Sequence, residues 1–370
     1  GEFIRSKIIM KYIVALDSFK GCLTSIEASN TLAESLRKKG CAAECVPVSD
    51  GGDGMIDALA YSLKGWTRID CRVHDALMRS CCASYLLKDQ QAIIESAQAC
   101  GLISLKDESL RPLLATSYGV GELLMHAINN GARNILVGLG GTATSDSGLG
   151  MLKGLKEAFL RSHGISDPQF KTWNDIRPAL DSLQLKITLA SDVTNPLYGP
   201  QGAAATFGHQ KGATDDDIKL LDRRARSFAS MSARYFGFDC SFKPGAGAAG
   251  GLGYAFMQYL NADMQSGAEL VLKLIKFDNL LSQSPCLVIT GEGKADRQTL
   301  MGKIPYIIMQ HCKRKSIKCI LLAGKVENLE ELKQSGFDDV KCINPALMSE
   351  EDSMNPSTAK RMLSLAINPC

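Results

Sequence analysis

No apolar run in this chain approaches the roughly 20 residues needed to cross a bilayer. The stretch IVAL at 13–16 is too short for the apolar segment of a secretory signal. No C-x-x-C pair occurs among the thirteen cysteines, and their number is odd, so neither a zinc site nor a disulfide framework is expected. They read instead as reduced, mostly buried small hydrophobes of a cytoplasmic protein. Histidine is scarce, at five residues, and neither H-E-x-x-H nor G-x-S-x-G is present, which removes the usual signatures of zinc hydrolysis and acyl transfer. A Walker-type G-x-x-x-x-G-K-[ST] and the HRD and DFG motifs of protein kinases are also missing. Neither sign of charge dominates: 42 basic residues face 39 acidic ones, for a net charge of +3. That balance points to neither nucleic acid nor an anionic membrane as a partner.

What is present is ordinary globular composition, 45% apolar and 22% charged, over 370 residues. That length suits two domains better than one core. The first nine residues, GEFIRSKII, read as a cloning remnant ahead of a start at Met10. No internal repeat, low-complexity segment or obvious linker marks a boundary.

Short runs of aliphatic residues recur, each closing on glycine, aspartate or a hydroxyl: YIVALDS, AECVPVSDGG, RNILVGLGG, KITLASD, CLVITGEG and KCILLAG. Such runs suit strands buried on both faces, as in parallel sheets. Between them, SIEASNTLAESLRKKG and DDDIKLLDRRARSFASMSARYF read as helices, the second opening on acids that favour a helix N-terminus. Alternation of strand and helix predicts an α/β architecture. ASYLLKDQQAIIES reads as a hairpin about a KDQQ turn, which predicts mixed sheet around residues 72–95.

In open parallel sheets ligands sit beyond the carboxyl ends of strands. Asp17, Asp50, Asp146, Asp192, Glu292 and Asp296 all fall there; each is equally suited to capping a helix or forming a turn. The segment GLGGTATSDSG, residues 138–148, follows one apolar run. With little side chain in the way, its backbone N–H groups can approach an anion. Thr142, Thr144, Ser145 and Ser147 add hydroxyls, and Asp146 can hold a metal. A glycine turn needed only for tight strand–helix packing accounts for the same letters. PGAGAAGGLG, residues 244–253, is a second such stretch. Gly245, Gly247 and Gly250 fit G-x-G-x-x-G, and Gly138, Gly140 and Ala143 its alanine-ended form. The first lacks a preceding strand and the second lacks the acidic ribose partner about 20 residues on. Lys20, Lys211, Lys294 and Lys303 lie in these same loops. Lysines together with aspartates are the parts that phosphoryl transfer requires. His126 reads as a structural helix residue, whereas His209 lies near the loop chemistry.

Taken in order, ALDSFKGCLTSIEA, VPVSDGGDGM, ATSYGVGELL, GLGGTATSDSGLGML, SDVTNPLYGPQGAAATFGHQKGA, PGAGAAGGLG, VITGEGKADRQTLMGK and LLAGKV resemble the bacterial type I glycerate kinase family over nearly the whole chain from Met10. The resemblance implies Mg2+-dependent phosphorylation of D-glycerate by ATP to 2-phosphoglycerate. It also implies a fold of two α/β domains with the site in the cleft between them. One is a flavodoxin-like parallel-sheet domain from both chain ends, placed at 10–70 and 280–370; the other is an inserted mixed-sheet domain, placed at 71–279. The chain departs from the family where DALM stands for GPLG at 75–78, Lys294 for arginine and Asp53 for glutamate. Lysine keeps the charge there but loses a bidentate fork.

On this reading Asp192 is the base facing the accepting hydroxyl, with Asp296 as its rival, and Lys20 neutralises phosphate or carboxylate charge. Asp50 and Asp146 are the candidates for Mg2+. Ser18, Gly140, Gly141, Thr142, Thr144, Ser145, Asn195, Gly247, Gly250, Gly291, Lys294, Gln298 and Thr299 are expected to bind substrate or phosphate. Two rivals stay open: a nicotinamide-dependent sugar-acid dehydrogenase and a non-catalytic sugar-acid sensor.

Overall fold

A computed structural model describes residues 10–105, 108–168 and 171–369; the expected cloning remnant at 1–9 lies outside them. Eleven strands are found among the described residues: β1 (Lys11–Leu16), β2 (Ala42–Cys45), β3 (Thr67–His74), β4 (Ser80–Lys88), β5 (Gln91–Glu95), β6 (Asn134–Gly138), β7 (Lys186–Ala190), β8 (Asp263–Gln265), β9 (Cys286–Ala295), β10 (Cys319–Val326) and β11 (Asp339–Cys342). All six apolar runs read from the sequence overlap one of them. The chain packs as two units: residues to Asp50 with Asp57–Leu63 and those from Ala268 on, and Gly51–Ile56 with Lys64–Gly267.

The first unit holds an entirely parallel sheet in the order β2-β1-β9-β10-β11. Counted within that unit, this is the 2-1-3-4-5 order of flavodoxin-like folds, with its switch point between β1 and β9. Ile13 to Leu16 are all buried, as a strand covered on both faces demands. The helix Ser25–Lys38 buries Ala28, Leu32, Ala33 and Leu36 at helical spacing, and opens on a capping box between Thr24 and Glu27. Ser25 and Ser29 turn their hydroxyls back onto the Leu16 backbone, tying this helix to the end of β1.

The inserted unit holds a mixed sheet, β3-β4-β5-β6-β7-β8, antiparallel from β3 to β5 and parallel from β5 to β8. The expected hairpin is β4–β5: Lys88 pairs with Gln91 across a two-residue turn, with Asp89 at φ 52°. The helix Asp215–Phe236 runs the full length read from sequence, from a Thr214–Asp217 capping box to Gly237. Tyr85, Tyr254 and Phe256 are fully buried in this unit's core; each contributes about 1.5–3 kcal/mol over an exposed side chain. The boundaries expected after residues 70 and 279 are displaced. β3 pairs with β4 along its whole length and so cannot be cut at 71. Residue 279 falls inside the helix Phe277–Gln283, which packs with the first unit.

Candidate active site

At the switch point of the first unit, β1 ends beside β9, and Asp17 donates its N–H to Gly291 O at 2.9 Å. The turn after β1 carries Ser18, whose N–H donates to Asp17 Oδ1 at 2.7 Å, and the exposed Lys20. Asp17 itself is pushed well above the ordinary carboxylate range. Burial is the main cause, and the charges of Asp50 and Glu292 add to it against the Ser18 N–H and Lys20. Glu292 is buried too and accepts from Thr299 Oγ1 at 2.6 Å and Lys303 Nζ at 3.5 Å. Burial raises its pKa in spite of those two donors. Asp17 and Glu292, two of the strand-end acids, thus emerge as electrostatically strained groups beside the expected Asp50.

Lys294 and Asp296 have other commitments. Lys294 lies 3.2 Å from Glu327 and 3.4 Å from Asp296, so its charge is already opposed within this unit. Asp296 caps the turn Arg297–Met301 by accepting the Gln298 N–H at 2.8 Å. Burial works against its ionisation, yet that N–H and the two lysines Lys294 and Lys303 hold it below the ordinary carboxylate range. Such a carboxylate accepts a proton less readily than an unperturbed one. Gly291 is a packing residue, since a Cβ there would lie 2.1 Å from Leu322 O.

In the inserted unit three loops interlock: 139–148 after β6, 191–197 after β7, and 245–251. Gly247 donates its N–H to Asn195 O at 2.9 Å, and Ser147 donates to Gly250 O at 2.9 Å. Asn195 Nδ2 in turn donates to Gln201 O and Thr206 Oγ1. A Cβ on Gly140 would stand 2.6 Å from Gly52 Cα, and one on Gly250 would stand 1.9 Å from Thr144 O. Tight packing is therefore one reason for the glycines. The anion reading holds alongside it: among the described residues, the N–H groups of Thr144, Ser145 and Asp146 find no protein acceptor, whereas those of Ala143 and Ser147 do. Ser147 and Ala249 sit at φ 56° and 54°, the left-handed strain that clusters at functional loops.

Asp146 takes four donors: the Ser117 N–H at 2.8 Å, the Ser117 hydroxyl at 2.9 Å, the Gly148 N–H at 3.1 Å and the Gly150 N–H at 3.1 Å. Four sites are about the whole acceptor capacity of a carboxylate. Asp146, expected from its position to hold a metal, is engaged as a clasp between the loop and the first turns of helices Tyr118–Asn129 and Leu149–Ser162. Ser117, its partner, lies in the segment ATSYGVGELL, to which the sequence assigns no role. Asp192 is half-buried, and its Oδ1 accepts the Gly267 N–H at 3.2 Å, which fixes its direction. Lys211 is buried beneath the loop and donates to Thr144 O at 2.6 Å, with Thr142 Oγ1 at 3.4 Å.

Neither G-x-G-x-x-G/A match forms a dinucleotide turn. After Gly138 the helix starts only at Leu149, and the 245–250 match passes through a kink at Ala249 and Gly250. Among the described residues no three His, Cys, Asp or Glu side chains converge on a metal, and no helix is long and apolar enough to cross a membrane.

A flavodoxin-like sheet with acids and lysines at its switch point, joined in sequence to a mixed-sheet unit with a glycine-rich N–H loop, places the chain among α/β proteins built to bind ligands at strand ends. Comparison with known proteins gives the particular family. The sequence model of the glycerate kinase family matches residues 12–368. A glycerate kinase of Bacillus cereus is 36% identical, with 93% of each chain covered, and the glycerate 2-kinase of Escherichia coli K12 is 35% identical over 90% of each. A crystal structure described as glycerate kinase 2 from Salmonella typhimurium LT2 superposes with a TM-score of 0.73 at 31% identity, covering 96% of both chains. The chain belongs to the glycerate kinase family, and it is a kinase.

Proposed function

We propose that this kinase transfers the terminal phosphoryl group of ATP to the C2 hydroxyl of D-glycerate, with Mg2+, giving 2-phosphoglycerate and ADP in the cytoplasm. The observation that carries the reading is the 139–148 loop. Its three successive N–H groups lack a protein acceptor among the described residues, and they suit an oxyanion of substrate or nucleotide. The name of the Escherichia coli relative supports the 2-position.

Phosphoryl transfer is mostly positioning and charge stabilisation. Asp192, steered by the Gly267 N–H, takes the proton from the C2 oxygen as that oxygen bonds to phosphorus and the bond to ADP breaks. Lys20, exposed after β1, offsets phosphate charge. Asp17 and Asp50 suit Mg2+: their mutual repulsion, with Glu292, is the strain a cation relieves. When bound, Mg2+ supplies neutralisation of the nucleotide's charge.

A coupled ADP-release assay over a panel of small hydroxy acids tests the proposal. Turnover with D-glycerate, only in the presence of a divalent cation, is expected. No turnover with any acid, or NADH binding by fluorescence, would overturn it in favour of a sensor or a dehydrogenase.

A further inference from the structure

Lys211 is the one lysine or arginine fully buried among the described residues, at 4% exposure. Neither of its hydrogen-bond partners, Thr144 O and Thr142 Oγ1, carries a charge. An ammonium held among neutral acceptors is costly, and burial pulls its pKa to about 8, opposed by the nearby Asp146 carboxylate. Packing alone gives no reason for a charge there.

The peptide it touches supplies one. No described peptide bond is cis, and a trans peptide sets its C=O and N–H antiparallel. With the Thr144 carbonyl turned onto Lys211 Nζ at 2.6 Å, the Ser145 N–H of the same peptide points away from the lysine. That N–H is the middle of the three without an acceptor among the described residues. A hydrogen bond to the carbonyl polarises the peptide and strengthens its N–H as a donor, by about 10–30% per bond.

We infer that Lys211 is a positioning residue that holds and polarises the Thr144–Ser145 peptide, so that residues 144–146 bind an oxyanion, carboxylate or phosphoryl. The inference rests on the proposed reading of this loop as an anion cradle. Within the helical-turn segment His209–Lys211, His209 and Gln210 are exposed and only Lys211 turns inward.

The test compares wild type with Lys211→Met, which keeps length and loses charge. Steady-state kinetics with each substrate varied should show at least a tenfold rise in one KM. A rise for D-glycerate identifies the carboxylate as the bound oxyanion, and a rise for ATP identifies a phosphoryl oxygen. Unchanged KM values for both, with the variant folded, overturn the inference even if kcat falls. Calorimetry of the wild-type protein with sulfate and with D-glycerate gives a second readout should Lys211→Met fail to fold. The ammonium is present below its pKa, so affinity should hold at pH 7 and fall at least tenfold by pH 9.5; the neighbouring Cys100 thiol, pushed up to about 12, stays neutral throughout. A flat profile overturns the inference. Sulfate binding that depends on Lys211 in a protein without glycerate turnover would remove the proposed reaction and leave this inference standing. Normal KM values in an active Lys211→Met enzyme would do the reverse.

Discussion

Replacing Asp146 with asparagine separates a clasp from a metal ligand. The native carboxylate receives two donors from Ser117, one from Gly148 and one from Gly150. An amide oxygen accepts two of these, while its NH2 group faces the other two, leaving two donors in a half-buried place without a partner. At about 1–3 kcal/mol for each unmet group, the loss is about 2–6 kcal/mol. In a unit of this size each kcal/mol lowers the melting temperature by about 2–4 °C, so a drop of about 4–24 °C is expected. Thermal unfolding followed by circular dichroism measures it. The drop should be the same with and without Mg2+, because the lost bonds are internal. An Asp146→Asn protein that melts like wild type but needs far more Mg2+ for turnover would refute the clasp.

Three other substitutions give separable outcomes. Gly250→Ala places a Cβ 1.9 Å from Thr144 O at φ +64°; left-handed strain of about 1–2 kcal/mol and overpacking of about 1–3 kcal/mol should lower stability, seen as an earlier urea midpoint. Asp17→Asn removes a carboxyl that burial, Asp50 and Glu292 hold well above the ordinary range. A raised carboxyl pKa favours the folded state at low pH and disfavours it once the group ionises, so the variant should melt higher than wild type at neutral pH. As Asp17 is also a proposed Mg2+ holder, the variant should need more Mg2+ for half-maximal turnover, measured by titrating Mg2+ in the ADP-release assay. Asp192→Asn should cut kcat by about 10²–10⁴, the usual contribution of a positioned base, in single-turnover kinetics; a loss under about tenfold with the fold intact would disqualify it.

The parallel strands could be read because continuous β-branched and aliphatic runs such as ILV in β6 and CILLA in β10 have no other stable use between turn residues. β8, only DMQ, and β11, only DVKC, are too short and polar to announce themselves, and they exist because a neighbouring strand supplies the ladder. The long helix 215–236 was legible at both ends because its cap residues are local. Partners distant in sequence were not. Asp146 has the same letter whether it binds a metal or closes a loop, and its role is decided by Ser117, 29 positions away. FGHQKGAT has the look of a solvated loop, and only tertiary packing buries Lys211 within it. Asp17 and Asp50 become a strained pair because parallel pairing sets the ends of β1 and β2 side by side, a fact of topology and not of composition.

Product analysis tests the central claim most directly. The protein is incubated with ATP, Mg2+ and D-glycerate, and the phosphorus NMR spectrum of the product is recorded with proton coupling. A phosphorus resonance split by the single C2 proton, appearing as ATP is converted to ADP, is the predicted result. A resonance split by the two C3 protons, or ATP left intact beside unmodified D-glycerate, would contradict the account.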